Sequence, residues 1–162
     1  MRIVEYKNEF QKEVIDLIVG IQRDELGVNI TAEDQPDLKQ IPVVYQKGKG
    51  NFWIAKEEDE IAGTIALIDI GNDEVALRKM FVQPKYRGKD KGIAQQLMDE
   101  LIDWCRMKDI RAIYLGTIDI MKAAHRFYER NGFRRVTKAE LPSHFPLMPV
   151  DNVFYKYTFK SS

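Results

Sequence analysis

The sequence predicts an α+β fold, in which a central mixed sheet of about seven strands, mostly antiparallel, carries helices on both faces. Three β-rich runs, residues 52–56, 61–70 and 74–82, are joined by short polar turns, which is typical of an antiparallel meander. Apolar residues from Ile93 to Cys105 then recur every three or four positions and predict an amphipathic helix. A further β-rich run at 111–116 follows this helix, so we expect it to lie parallel to the strand that ends at Val82.

The remaining elements are predicted from shorter patterns. Residues 2–6 alternate between polar and apolar and predict the first strand, and an apolar stripe after Asn8 predicts a helix to about Glu25, with Asn8 and Gln11 as its reciprocal caps. A second helix is expected from residues 31–35 onward, and Pro42 must kink or split it.

The C-terminal third of the chain predicts a helix, a loop and two strands. A helix at 120–130 should end in a left-handed cap at Gly132, before a strand at 133–137. Three prolines mark a long irregular loop, and the alternating run at 153–159 should complete the sheet. With no repeat or linker, we expect one domain over residues 1–162.

Composition limits the possible partners. Lys plus Arg and Asp plus Glu balance at 25 each, so the sequence lacks the basic excess that broad binding to nucleic acid or an anionic membrane requires. Cys105 is the only cysteine, which excludes an internal disulfide and a cysteine metal cluster, and it falls on the apolar helix face. No stretch has the length of a signal or a membrane span, and we expect a cytoplasmic protein.

A basic, glycine-containing turn at residues 85–91 joins a strand to a helix, and such a junction can bind an anion. The first amides of a helix have no partner within it, and the helix dipole adds about half a positive charge there. Glycine allows close approach, and the turn carries Arg87, Lys89 and Lys91. A solvated basic turn is the plainer interpretation. Neither the P-loop pattern nor the dinucleotide pattern of three spaced glycines is present.

Two motifs resemble those of the GCN5-related N-acetyltransferases (the GNAT superfamily). The residues Arg87-Gly88 and Gly92-Ile93-Ala94, placed between a strand and a long helix, resemble motif A, and residues 124–133 resemble motif B, in the expected order. The resemblance implies a fold in which two parallel strands splay apart to admit the cofactor. It also implies an enzyme that transfers the acetyl group of acetyl-CoA, its co-substrate, to a primary amine of a small molecule or peptide without a metal.

The resemblance also assigns cofactor-binding residues. The pyrophosphate would lie on the motif A turn, which here is two residues longer than the commoner form. The pantetheine arm would pair with the backbone of the preceding strand, where one amide could also polarise the thioester carbonyl. The implied residues are Met80, Phe81, Val82, Arg87, Gly88, Lys89, Asp90, Lys91, Gly92, Ile93 and Ala94. Asp90 would point to solvent or cap the helix.

Tyr128 is the implied catalytic acid, which would protonate the departing thiolate of CoA. From the helix pattern alone, Tyr128 could instead be a packed core tyrosine, and His125 is expected at the surface. The family's asparagine seven residues before the tyrosine is replaced by Met121, and its contact could pass to Thr117. Glu74 is the first candidate for the general base, with Glu57 and Glu58 as alternatives.

The acceptor would be selected by residues 22–37 and 141–152, again by resemblance. Asp34, Asp37 or Asp151 could attract a cationic amine, and His144, Phe145 and Met148 could line a pocket wall. Two other functions stay open: a CoA-binding regulatory module without turnover, and a domain that binds a different phosphate compound. A homodimer is possible because relatives often form one.

Overall fold

A computed structural model describes residues 1–27, 29–88 and 91–160. Its seven strands form one open sheet in the order β1-β2-β3-β4-β5-β7-β6. The strands are β1 (Arg2–Glu5), β2 (Asn51–Glu57), β3 (Glu60–Gly71), β4 (Glu74–Val82), β5 (Ala112–Thr117), β6 (Arg134–Val136) and β7 (Val153–Thr158). The predicted mixed sheet is confirmed, because β4 and β5 pair in parallel while the other neighbours pair antiparallel. The last strand lies between β5 and β6 and leaves β6 at the edge.

The helices follow the predicted order with shifted ends. They are α1 (Gln11–Asp24), α2 (Ile41–Val44), α3 (Ile93–Met107) and α4 (Lys122–Arg130). Pro42 lies in the first turn of the short helix α2, and a separate 3-10 turn at Pro36–Lys39 precedes it, so the second predicted helix is split. Gly132, with φ +92°, follows α4 as expected.

One predicted cap is wrong. Asn8 begins a 3-10 turn, Asn8–Phe10, and no side chain caps either this turn or α1. The Gln11 amide instead donates to the Lys39 carbonyl at 3.2 Å. The Gln11 side chain, which a reciprocal cap would have used, therefore forms a tertiary hydrogen bond instead.

Helices cover both faces of the sheet, as predicted. Trp53 and Ala55 of β2 point to the face that α3 and α4 cover, and Phe52 and Ile54 point to the face that α1 and α2 cover. All four are fully buried or nearly so, because the period-two alternation of a strand buries every residue when both faces are packed. Cys105 lies in the core on the α3 face, as expected.

The two parallel strands separate partway along their length. Their pairing covers only residues 74–76 of β4 and 112–114 of β5. Beyond it, β4 contains a bulge against β3, where the register shifts between Thr64 and Ala66, and Lys79 takes a positive φ of +54°. The carboxyl-terminal halves of both strands thus border an opening in the sheet.

Candidate active site

A cleft of about 950 Å³ occupies the opening between β4 and β5. One wall is formed by residues 77–82 of β4, and the other by residues 115–117 of β5 together with Ile118. The end of α1, Ile30 and Gln35, the turn before α3, the start of α3, the inner face of α4 and the loop before β7 also contribute to the lining. The splayed parallel strands that the family resemblance implied are therefore present, and they expose the backbone edge of β4 to the cleft.

The bulge in β4 determines which of its side chains turn towards the face of the sheet that α1 and α2 cover. Leu77, Met80 and Val82 all belong to the core cluster on the α3 face, although residues 77 and 80 would face opposite sides of a regular strand. The extra residue at the bulge leaves Arg78 and Lys79 together on the other side. There the Lys79 ammonium donates to Gln35 Oε1 at 2.7 Å and lies 3.4 Å from Asp37 Oδ2.

The basic turn holds two of its cations against the protein. Arg87 donates from Nε to the Val82 carbonyl at 2.9 Å and from Nη2 to Glu25 Oε2 at 2.9 Å. The Lys91 ammonium donates to the Lys85 carbonyl. Arg87 lines the cleft and Lys91 does not, so the structure does not bring the Lys91 side chain to the site. The predictions for Lys89 and Asp90 fall outside the described residues.

The N-terminus of α3 faces the cleft through Gly92 and Ala94. Gly92 takes a left-handed φ of +65°, which favours glycine, and its N–H donates to the Gly88 carbonyl at 3.3 Å. The first helical hydrogen bond runs from Gln96 N–H to the Gly92 carbonyl at 2.9 Å. The amides of residues 93–95, and not that of Gly92, are therefore the ones that have no acceptor within the helix and can bind a ligand.

Side chains around this helix start differ in their direction. Ile93 points into the core and is only 3% exposed, so its backbone alone could serve a ligand. Gly88 lines the cleft. Arg130, at the end of α4, also lines it beside the helix start, since the neighbouring Asn131 amide donates to Gln95 Oε1 at 3.2 Å. The sequence patterns did not indicate Arg130, because only the tertiary packing of α4 against α3 brings it there.

Tyr128 reaches the cleft from the inner face of α4. Its ring packs against the rings of Phe127, Phe133 and Tyr155, and 8% of the residue stays exposed. The hydroxyl donates to Met80 Sδ at 3.9 Å, a long and weak hydrogen bond. Burial, first, and then the charge of Asp151 raise the pKa of this phenol above its ordinary value, so Tyr128 holds its proton.

Asp151 faces the same cleft from the loop before β7. Its carboxylate lies over Gly116, where an added Cβ would come within 2.5 Å of Oδ2, so the close approach requires glycine. Burial raises the pKa of Asp151 to about 6, while the charge of Arg78 opposes that rise. The sequence suggested Asp151 only as an attraction for an amine. A carboxylate with this pKa can also accept a proton near neutral pH.

The other two aspartates suggested for the acceptor are engaged elsewhere. Asp34 accepts from the N–H and hydroxyl of Thr31, and Asp37 accepts from the Tyr45 hydroxyl at 2.6 Å and pairs with Lys79. Neither lines the cleft.

Glu74 is not near the cleft, which contradicts its assignment as the general base. It begins the nine-residue strand β4, and at about 3.3 Å per residue it is roughly 25 Å from Val82 at the other end. Its buried carboxylate accepts from the Tyr114 hydroxyl at 3.3 Å and lies 3.7 Å from Arg111 Nη2. The alternatives Glu57 and Glu58 also lie outside the cleft lining.

The remaining candidates lie in the cleft, in the core or, for His144, at the surface. Thr117 and Met121 line the cleft, as do Phe145 and Met148, whereas His144 does not. His125 was expected at the surface but is buried, with Nε2 2.9 Å from the Ile118 carbonyl. It thereby ties α4 to the chain that leaves β5.

Within the ranges 1–27, 29–88 and 91–160, no helix is long and apolar enough to cross a membrane.

Comparison with known proteins shows what the chain is similar to. A sequence model of the acetyltransferase (GNAT) family matches residues 16–133. The zebrafish (Danio rerio) N-acetylaspartate synthetase is 34% identical over 128 residues, which cover 76% of this chain and 44% of that protein. The chain thus spans less than half the length of this curated relative.

Solved structures extend the similarity to nearly the whole chain. An acetyltransferase of the GNAT family from Staphylococcus aureus superposes with a TM-score of 0.92 at 41% identity, covering 98% of this chain and 99% of that one. The PaiA N-acetyltransferase from Thermoplasma acidophilum, solved in complex with coenzyme A, gives a TM-score of 0.71 at 16% identity over 98% of both chains, a likeness of fold alone. The fold expected from the two motifs is confirmed.

Proposed function

The chain belongs to the acetyltransferase (GNAT) family, and from this premise we propose that it is an N-acetyltransferase that uses acetyl-CoA as co-substrate. The acceptor in this proposal is the primary amine of a small molecule or a peptide. One observation carries the proposal: the hydroxyl of Tyr128 and the carboxylate of Asp151 face one cleft, at the point where β4 and β5 cease to pair.

The backbone groups and charges that line the cleft support acetyl-CoA as the co-substrate. The exposed edge of β4 at Met80, Phe81 and Val82 offers backbone groups to the amides of the pantetheine arm, as an added strand would use them. The amides opening α3, including those of Ile93 and Ala94, would hold the pyrophosphate, and Gly88 and Gly92 leave room for it. Arg87 and Arg130 supply positive charge at this end, and Thr117 borders the cleft on β5. The phosphate contact of Lys89 and the place of Asp90 in the cofactor-binding turn remain predictions.

Proton transfer needs an acid and a base, and the buried Tyr128 and the partly buried Asp151 would supply them. Asp151 is ionised above pH 6 and would accept the proton that the acceptor's ammonium must lose before it attacks. Attack forms the amide bond and breaks the carbon–sulfur bond of the thioester. Tyr128, which keeps its proton because it is buried, would donate that proton to the departing thiolate. An amide in β4 near Met80 or Phe81 would polarise the carbonyl.

The test measures release of free CoA thiol when the protein is mixed with acetyl-CoA and a panel of primary amines. Turnover above the rate without protein is expected for at least one amine. Thermal stabilisation by CoA, measured in parallel, separates binding from catalysis. Stabilisation without thiol release across the panel would favour a non-catalytic CoA-binding module and overturn the proposal.

The proposal also includes three finer statements about the whole protein. Residues 1–162 would form one domain, which the sheet supports because its strands run from β1 near the start to β7 near the end. The protein would act in the cytoplasm, where acetyl-CoA is available, and could form a homodimer. Unfolding in a single transition, cell fractionation and sedimentation measure these three properties.

A further inference from the structure

The acceptor wall is the side of the cleft that is lined by Gln22, Gln35 and Met148 and would face the acceptor. It contains a guanidinium without a matching anion. Arg78 lines this wall, and its Nη2 donates to Met148 Sδ at 3.6 Å, although a thioether is a weak acceptor. Among the residues that the structure describes, no carboxylate oxygen lies within 4 Å of this guanidinium. Arg78 therefore keeps most of its hydrogen-bonding capacity for a ligand.

The other cations of the cleft have different surroundings. Lys79 is neutralised by Asp37 and held by Gln35, and Gln35 is fixed in turn by two hydrogen bonds with Gln22. Arg87 is neutralised by Glu25. Arg130 lies beside the start of α3, where the phosphates of the co-substrate are expected. Within the described part of the chain, only Arg78 combines a place on the acceptor wall with an unmatched charge.

The carboxylate of Asp151 lines the same cleft as the guanidinium of Arg78. Arg78 lowers the pKa of Asp151, so the two charges interact, yet they form no ion pair within 4 Å. A ligand that fills the space between them gains most if it carries the opposite charges in the opposite order. It would present an ammonium to Asp151 and a carboxylate to Arg78, where a planar guanidinium can bind both carboxylate oxygens.

We propose that the acceptor is an amino carboxylate, a small molecule whose amine faces Asp151 while its carboxylate pairs with Arg78. This inference rests on the proposed function, since it names the acceptor of the same reaction. The carboxylate orients the amine towards the thioester, so Arg78 acts as a specificity-determining residue and takes no part in the proton transfers.

The experiment compares each of several amino acids with its carboxamide and with its decarboxylated amine in the thiol-release assay. The wild-type protein should acetylate at least one amino acid with a kcat/KM about 100-fold above that of its two analogues without a carboxylate, because the charge-assisted bidentate pair is lost in them. At pH 8, where Asp151 is ionised in both proteins, Arg78→Gln should lower kcat/KM for the acid to the level of the carboxamide, mainly through KM, and should lower kcat/KM for the carboxamide far less. Arg78→Lys should retain part of the preference.

Arg126→Gln is the matched control, because Arg126 is exposed on α4 and does not line the cleft. Thermal stabilisation by acetyl-CoA should be the same in all four proteins, which shows that the variants are folded. Equal turnover of acids and carboxamides by the wild type would overturn this inference while leaving the proposed function in place. An equal loss of kcat/KM for the acid and for its carboxamide in Arg78→Gln would also overturn this inference and leave the proposed function in place. Absence of thiol release with every acceptor would overturn the proposed function as well.

Discussion

At the scale of single residues, burial raises the pKa of two side chains, Tyr128 and Asp151, and suits the first to act as an acid and the second as a base. The pKa of both Tyr128 and Asp151 is raised by desolvation. For the phenol, the rise keeps it protonated and able to act as an acid at any physiological pH. For the carboxylate, a pKa of about 6 leaves it ionised at neutral pH but a stronger base than an exposed aspartate.

Replacement of Tyr128 by phenylalanine should lower kcat about 100-fold, because the leaving thiolate loses its proton donor. Acetyl-CoA affinity should stay nearly unchanged, since the hydroxyl that is removed makes a weak hydrogen bond, the one to Met80 Sδ. Steady-state kinetics and calorimetric titration with acetyl-CoA measure the two quantities. Tyr155→Phe is a control, as its hydroxyl bonds Glu129 and not the cleft. Wild-type turnover in Tyr128→Phe would remove this residue from the mechanism.

Replacement of Asp151 by asparagine should lower kcat/KM by about 100-fold or more at pH 7.5, because no side chain then accepts the ammonium proton. In the wild type, kcat/KM should fall as the pH drops through about 6, the pKa of Asp151. The variant should lose this acidic limb. A pH–rate profile that keeps the limb in Asp151→Asn would assign the base to another group.

The same substitution should stabilise the protein. The folded-state pKa of about 6 lies above the ordinary value of 3.8, so the native state binds this proton more tightly than the unfolded chain does. The contribution of Asp151 to stability is therefore favourable at low pH and is lost as the pH rises from about 4 to above 6. At pH 8, Asp151→Asn should gain about 1 kcal/mol, a figure reduced for the solvent that screens a partly exposed carboxylate. Denaturant unfolding at pH 4 and pH 8 measures the difference, which should be smaller at pH 4.

The positions of site residues were predictable from the sequence where a local motif carries them. The place of Tyr128 in the cleft follows from residues 124–133, because one helix turn fixes it against the strand beside it. Glu74 was misassigned because a strand separates its two ends widely in space although they are close in sequence. A role of Asp151 as a base was not predicted, because its pKa is raised by burial in the folded protein, where it lies over Gly116, 35 residues away along the chain.

At the scale of elements, the strands and helices could be predicted but the bulge could not. The β-rich run of residues 74–82 indicates a strand, yet no glycine or asparagine marks the left-handed position at Lys79. The surroundings stabilise this conformation, since the Lys79 ammonium is bound by Gln35 and lies close to Asp37. The direction of Arg78, and with it the proposed acceptor preference, follows from a tertiary contact that no local pattern reveals.

The N-terminus of α3 gives the sharpest test of co-substrate binding. Ala94→Glu places a carboxylate where the helix dipole and the first amides would meet a pyrophosphate, so acetyl-CoA affinity should fall about 100-fold or more. The side chain introduced by Ala94→Gln has nearly the same size without the charge, so acetyl-CoA affinity should fall far less in this variant. Calorimetric titration of both variants measures the effect. Equal affinities in the two would show that the phosphates bind elsewhere.

At the scale of the whole molecule, the cleft divides the sheet into two parts. Strands β1 to β4 form one part and β5 to β7 the other, joined in the sheet by the short pairing of residues 74–76 with 112–114. Backbone groups beyond this pairing have no neighbouring strand on the cleft side. A ligand that bonds to the open edge of β4 and touches β5 replaces part of the missing sheet contact.

Acetyl-CoA should therefore stabilise the folded protein by mass action, and by more than its fragments do. At about 100 times the dissociation constant, the gain is about 2.7 kcal/mol, which raises Tm by about 5–10 °C for a chain of this size. Pantetheine lacks the phosphates for α3, and adenosine diphosphate lacks the arm for β4, so each should give a smaller shift at equal concentration. Thermal unfolding followed by circular dichroism measures the shifts, with Ala94→Glu as the control that should respond to pantetheine alone. A shift of similar size with adenosine diphosphate and with acetyl-CoA would mean that β4 adds nothing, and would favour a site for another phosphate compound.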